Sequence, residues 1–170
     1  MDANSSASPY SYHVFLSYSS EDTGKTFTDH LYSALDLAGF HPFRHDHGIE
    51  KGEDIKYDRE KVIRESRISL IVFSKKYAFS TRCLEELVLI LKHKTSRHMV
   101  LPIFYDVDPS EVRKQTGSFG EAFTRHEEKL KSEASELEKE KLKDMVGIWR
   151  AGLREVADVA GINLQNEADG

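Results

Sequence analysis

Ser80 to Leu91 read STRCLEELVLIL, and this stretch holds the chain's one cysteine, Cys83, followed by the adjacent carboxylates Glu85 and Glu86. A thiol and two acids at the mouth of an apolar run could serve nucleophilic or acid–base chemistry. A helix start explains them equally well, because its dipole favours a thiolate and welcomes acidic residues in the first turn. On a helical wheel Leu84, Leu87, Val88 and Leu91 form the expected buried stripe. Glu86 falls on the flank of Cys83 and Ile90, Glu85 on that of Leu89. Periodicity leaves the choice between the two carboxylates open.

Other constellations point to less. His41, His45 and His47 cluster, but no carboxylate or second histidine pair stands at helical ligand spacing, so solvated loop histidines and no metal are expected. GIEKGED lacks the Gly-Lys-Ser/Thr order of a phosphate-cradling loop. A phosphoacceptor domain of this architecture would need an aspartate at the end of its third strand, where Val72, Phe73 and Ser74 stand. A single cysteine rules out an internal disulfide framework and a thiolate zinc cluster.

The elements that must position these residues follow from the apolar pattern. YHVFLSY (12–18) reads as a buried strand running into the polar loop SSEDTGK. The next segment puts Phe27, Leu31, Leu35 and Ala38 on one helical face, with Gly39 placed to end the helix. FHPF (40–43) is a short strand that Pro42 confines to an edge. Arg44 to Asp54 form a polar loop, and Ile55, Val62 and Ile63 line a modest helix. ISLIVFS (68–74) and MVLPIFY (99–105) are continuous apolar strands of the kind covered on both faces, and SKKYAFS between them is a loop leading into the STRCLEELVLIL helix. DVDPSEVRKQTGS is a turn-rich loop, and the mixed charges of EEKLKSEASELEKEKLKD predict a solvated helix pair or loop. Met145, Trp149, Leu153, Val156 and Ala160 recur at helical spacing, which makes Trp149 a packing anchor. The alternation predicts an α/β fold, an open parallel sheet of four strands and a short fifth between helix layers on both faces. Ligands in such sheets bind at the carboxyl ends of strands, which selects the loops SYSSED, HDHGIEKGED, SKKYAFSTRC and DVDPSEV.

Composition sets the outer limits. At 170 residues, 39% hydrophobic and 31% charged, the chain fits one globular domain, and its net charge of −5 gives no bulk attraction to nucleic acid. The start MDANSSASPYS lacks the basic and apolar regions of a signal peptide, and no apolar run is long enough to cross a bilayer. The expected organisation is a mobile arm over 1–11, one domain over 12–161 and a linker or tail over 162–170. The expected location is cytoplasmic, with the nucleus as the alternative.

YHVFLSYSSEDTGKTFTDHLYSAL, GIEKGEDI, RISLIVFSKKYAFSTRCLEELVLIL and VLPIFYDVDPSEVRKQTGSFGEAF together resemble the successive motifs of a plant Toll/interleukin-1 receptor (TIR) domain, in unbroken order from about Tyr12 to Gly161. That resemblance implies a flavodoxin-like fold, self-association with other TIR domains, and cleavage of NAD+ to nicotinamide and ADP-ribose-type signals, cyclic ones included, in plant innate immunity. NAD+ is then the substrate and no cofactor is implied. The pattern Cys-Leu-x-Glu-Leu, here CLEEL, selects Glu86 as the catalytic carboxylate. Tyr18, Ser19, Ser20, Ser80, Arg82 and Cys83 would shape the pocket, and Asp29 and His30 the association surface. The position of Cys83 is linked in such domains to a second activity on nucleic acid, so the resemblance leaves nucleic acid open as a secondary substrate, against a net charge that does not favour it. The family's Arg-Gly-Glu-Asp-Thr-Arg after the first strand is replaced by Ser19, Ser20, Glu21, Asp22, Thr23 and Gly24, and a Trp by Arg82. Asp29 stands where the Ser of a Ser-His pair is usual. These departures support the alternative of a non-catalytic module that pairs with another receptor or adaptor.

Overall fold

The computed structural model describes residues 13–23, 26–44, 59–133, 135–159 and 161–164. The expected arm, the loop residues 45–54 with His45 and His47, Ile55, Ala160 and the last residues of the tail lie outside these. The apolar runs form β1 (Val14–Ser17), β2 (Pro42–Phe43), β3 (Ile68–Phe73), β4 (Met99–Tyr105) and β5 (Ile162–Leu164). All neighbouring strands pair in parallel, in the order β2-β1-β3-β4-β5. This is the flavodoxin-like order, and its switch point lies between β1 and β3. Pro42 sits in the edge strand, where its missing N–H costs least.

Between the strands run α1 (Phe27–Leu37), α2 (Arg59–Glu65), α3 (Thr81–Lys92), α4 (Pro109–Lys114), α5 (Gly117–Ser132) and α6 (Glu136–Ala157). Two apolar clusters sandwich the sheet. Val14, Leu16, Tyr18, Leu70, Val72 and Ile103 pack against Phe27, Leu31, Tyr32 and Leu35 of α1. On the other face Phe15, Ile71, Phe73 and Phe104 meet the buried sides of α3, α5 and α6. Phe73 is a hub there, edge-on to Tyr77 at 5.1 Å and to Phe119 at 6.0 Å. Alternating strand residues thus serve both cores, which is why ISLIVF shows no polar face. Trp149 is buried in this second cluster, as a packing anchor should be.

α1 ends as Gly39 suggests. Its φ is 92°, the Gly39 N–H donates to Asp36 O and the Phe40 N–H to Leu35 O, a Schellman closure that needs a left-handed residue. Ala38, placed on the apolar face by periodicity, is instead exposed as the residue that caps the helix.

Three sequence expectations change. The loop after β4 contains the six-residue helix α4, with Pro109 at its first position and Asp108 Oδ1 accepting from Ser110 N at 2.9 Å. A short helix-start signal was hidden there in a turn-rich composition. SKKYAFS includes a 3-10 turn at Tyr77–Phe79. The sheet also runs past residue 161 into the expected tail, because Ile162–Leu164 pair with Ile103–Tyr105 as β5. Two of its three residues, Asn163 and Leu164, already belong to the polar ending NLQNEADG, which gives too little apolar pattern to mark that strand.

Candidate functional site

The last residue of β1, Ser17, pairs in register with Ile71 of β3, so its hydroxyl stands at the switch point. It donates to Glu86 Oε1 at 2.9 Å and lies 2.9 Å from the Tyr77 hydroxyl, which in turn donates to Cys83 O at 3.1 Å. Glu86 is reached from α3, whose N-cap Ser80 accepts from Cys83 N at 3.2 Å and fixes where the helix begins. The buried side of α3 is Cys83, Leu84, Glu86, Leu87 and Ile90. It is therefore turned toward the cysteine flank relative to the expected stripe, leaving Val88 and Leu91 half-buried. That rotation separates the two acids. Glu86 is 0% exposed, whereas Glu85 is half-exposed and pairs with Arg59 at 3.5 Å.

Two guanidiniums face the buried carboxylate. Arg82 Nη1 donates to Glu86 Oε2 at 2.7 Å, and Arg59 Nη1 of α2 lies 3.8 Å from the same oxygen. Burial pushes the Glu86 carboxyl above the usual carboxylate range, while Arg82, the Ser17 hydroxyl and Arg59 pull it back. Arg82 Nη2 also donates to Tyr18 O at 3.2 Å, and the Cys83 thiol donates to that same carbonyl at 3.3 Å. The thiol is pushed up to about 12, chiefly by burial and then by the Glu86 charge. Cys83 is thus held as a neutral, inward-turned thiol.

The other candidate residues divide. Tyr18 offers its carbonyl to the site, while its hydroxyl accepts from Arg44 Nε at 3.3 Å and its ring lies 5.3 Å under the Arg44 guanidinium. Ser19 is buried in the turn after β1 and its carbonyl accepts from Thr23. Ser20 is exposed. Asp29 pairs with Arg44, joining α1 to the end of β2, and His30 is exposed beside it. Glu86, Arg82, Cys83, Ser80 and the Tyr18 carbonyl therefore converge, whereas Asp29 and His30 lie on α1.

Three neighbours of Glu86 escaped the sequence reading. Ser17 had a signal, a polar residue closing an otherwise apolar strand. Tyr77 and Arg59 had none, since their approach depends on how the β3 loop and α2 pack. The β1 and β3 loops are themselves tied by Asp22, which accepts from Ser74 Oγ and Lys76 N, both at 2.9 Å. A clamp of Glu60 on Lys92 at 2.9 Å and His93 at 2.7 Å holds α2 against the end of α3 and so keeps Arg59 near the site. Among the described residues no group of three His, Cys, Asp or Glu side chains could hold a metal ion, and no helix is long and apolar enough to cross a membrane.

Comparison with known proteins matches this arrangement to one family. The TIR domain model matches residues 11–169. The disease resistance protein RPV1 of Vitis rotundifolia is 48% identical over 157 residues, which are 92% of this chain and 10% of that protein. The TMV resistance protein N of Nicotiana glutinosa is 44% identical over 162 residues, 95% of this chain and 13% of that protein. The chain thus spans a small part of the relatives it matches. Among solved structures, the TIR domains of the activated Roq1 resistosome directly recognizing the pathogen effector XopQ superpose with a TM-score of 0.77 at 45% identity, covering 94% of this chain and 92% of that one. The chain therefore belongs to the TIR domain family, in the form carried by plant disease resistance proteins.

Proposed function

We propose that this domain cleaves the N-glycosidic bond of NAD+, with Glu86 as the catalytic carboxylate. The observation that carries the reading is a wholly buried carboxylate at the β1/β3 switch point, both of whose oxygens are held by named partners. Nicotinamide leaves NAD+ as a neutral base: the C1′–N bond breaks, its electron pair quenches the ring cation, and no general acid is needed. The demand is to stabilise the oxocarbenium-like ribose, which a fixed carboxylate in a low-dielectric site does well. Water then adds to C1′ and releases its proton, giving ADP-ribose. A nucleophile within the substrate, in place of water, gives a cyclic product. Ser17 orients the carboxylate, and Ser80, Arg82, Cys83 and the Tyr18–Ser20 turn border the site.

Clustering of several such domains is the proposed trigger, in line with the resistosome named for Roq1, and the setting is cytoplasmic immune and cell-death signalling. Self-association would draw on α1 around Asp29 and His30. A second reading, a pairing module without turnover, is favoured by one observation, the Arg82 guanidinium standing on the very carboxylate that catalysis needs. The test is nicotinamide release by the protein clustered at high concentration, comparing wild type, Glu85→Ala and Glu86→Ala. The reading requires loss of activity in Glu86→Ala alone. An inactive wild type, or full activity in Glu86→Ala, overturns it in favour of the pairing module.

A further inference from the structure

Glu86 has no exposed surface, so no substrate atom can touch it until one of its neighbours moves. Ser17 and Tyr77 are fixed: both are fully buried, one at the end of a central strand and the other wedged on Phe73. Cys83 belongs to the helix itself and is turned to the Tyr18 carbonyl. The two guanidiniums are different, because Arg82 is 33% and Arg59 29% exposed and each reaches the carboxylate from the solvent side. They are the parts of the cage able to open.

Arg59 is shared between Glu85 and Glu86, so Arg82 is the guanidinium that cancels the negative charge of Glu86 while it stays in place. A pyridinium riboside is cationic, and the ribose becomes more so as the ring departs, so Arg82 opposes both binding and reaction while it stays on Glu86. Its departure need not strand a bare buried charge. Among the described residues Arg59 Nη1 has no hydrogen-bond partner and lies 3.8 Å from the oxygen that Arg82 holds. A small shift would let it replace Arg82 there and keep Glu86 ionised. Arg82 also stands in the first turn of α3 and bonds the loop after β1, the place where a diphosphate would arrive in a sheet of this order. A diphosphate offers its guanidinium a bidentate partner of higher charge than one carboxylate.

We propose that Arg82 is a specificity gate, which covers Glu86 in the free domain and moves to the diphosphate of an incoming pyridine dinucleotide, so that the anionic part of the substrate uncovers the carboxylate that acts on the cationic part. The proposal rests on Glu86 as the carboxylate of the NAD+ reading. It makes Arg82 a positioning residue whose effect is on substrate choice. Nicotinamide riboside, which lacks the diphosphate, cannot open the gate, and nicotinamide mononucleotide opens it poorly.

The test compares wild type and Arg82→Gln on NAD+, nicotinamide mononucleotide and nicotinamide riboside, under clustering, by nicotinamide release. Wild type should prefer NAD+ over the riboside in kcat/KM by at least about tenfold, the usual worth of one charge-assisted hydrogen bond. Arg82→Gln should bring that ratio to within about twofold, raising riboside turnover while lowering that of NAD+. A ratio unchanged by the substitution overturns the gate. A second arm needs no turnover: inorganic pyrophosphate should move the carboxyl 13C resonance of Glu86, assigned with Glu86→Gln, in wild type but not in Arg82→Gln. A resonance that ignores pyrophosphate in wild type overturns the gate even if NAD+ is cleaved. A resonance that responds while no variant releases nicotinamide supports the gate and refutes the NAD+ reading instead.

Discussion

Replacing Glu86 by Gln should make the domain more stable, and the reason lies in counting protons. Glu86 Oε1, Ser17 Oγ, the Tyr77 hydroxyl and Cys83 O form a chain of three contacts at 2.9, 2.9 and 3.1 Å. The two hydroxyls supply two protons. With Glu86 ionised one contact has no proton, and a protonated carboxyl or a Gln amide provides the third. Burying the carboxylate costs several kcal/mol, of which a charge-assisted hydrogen bond from Ser17 returns about 1.5–3 kcal/mol. The Arg82 pair returns less, since Arg82 is 33% exposed and is discounted toward the ~0–1 kcal/mol of a surface pair. Gln keeps the shape, fills the chain and frees both guanidiniums to turn to water. A gain of about 1 kcal/mol, or about 2–4 °C in Tm for a domain of this size, is expected at neutral pH.

The pH dependence fixes the sign. Because burial raises the Glu86 carboxyl in the folded state, its contribution to stability is fully present below the ordinary carboxylate range and is lost as pH rises through the raised value. The advantage of Gln should therefore be absent in acid, open through that window and stay level above it. Calorimetry of both proteins between pH 4 and 8 reads this directly. A Gln variant less stable by about 1 kcal/mol at neutral pH, or an advantage that shrinks as pH rises, would refute the proton count.

Two further outcomes concern the frame around the site. Lys92 and His93 hold the Glu60 carboxyl down to about 2, so its contribution to stability is present above about 4.5 and is lost as pH falls toward 2. Glu60→Gln should flatten that part of the acid unfolding curve, and an unchanged acid limb would dismiss the α2–α3 clamp. A Cβ on Gly161 would clash with the Pro102 carbonyl oxygen, so Gly161→Ala should unseat β5 at a cost of about 1–3 kcal/mol. Hydrogen exchange should then quicken at Asp106 N, which donates to Leu164 O, and protection equal to wild type would count against it.

The long strands and helices were legible because burial imposes a period on them. ISLIVFS and MVLPIFY could hardly lie elsewhere than in a sheet covered on both faces, and Gly39 announced the end of α1. β5 and α4 were not legible, the one for want of apolar residues and the other because its start signal lay among turn formers. At the site, the helix and its acids were visible, but which acid faced inward was not. A stripe centred on Leu84, Leu87, Val88 and Leu91 and one centred on Cys83, Leu87 and Ile90 differ by a fraction of a turn, and packing against Phe15 and Tyr77 decides between them. Motif resemblance chose Glu86 by another route. The protein's own departure, Arg82, was visible as an oddity, but its contact with Glu86 follows from their spacing of four on one helix only once Glu86 is known to be buried.

Among the described residues the two outermost strands hold two and three residues. An edge that short offers a passing chain almost no ladder to extend, the usual protection of a sheet against aggregating strand upon strand. The clustering proposed above would then crowd copies of this domain together without these edges making the sheet adhesive. Under the proposed clustering, contacts between copies would then fall to helices and loops, whose side chains can be exchanged one at a time, so such an assembly could be tuned or dissolved without touching the strand that carries Ser17.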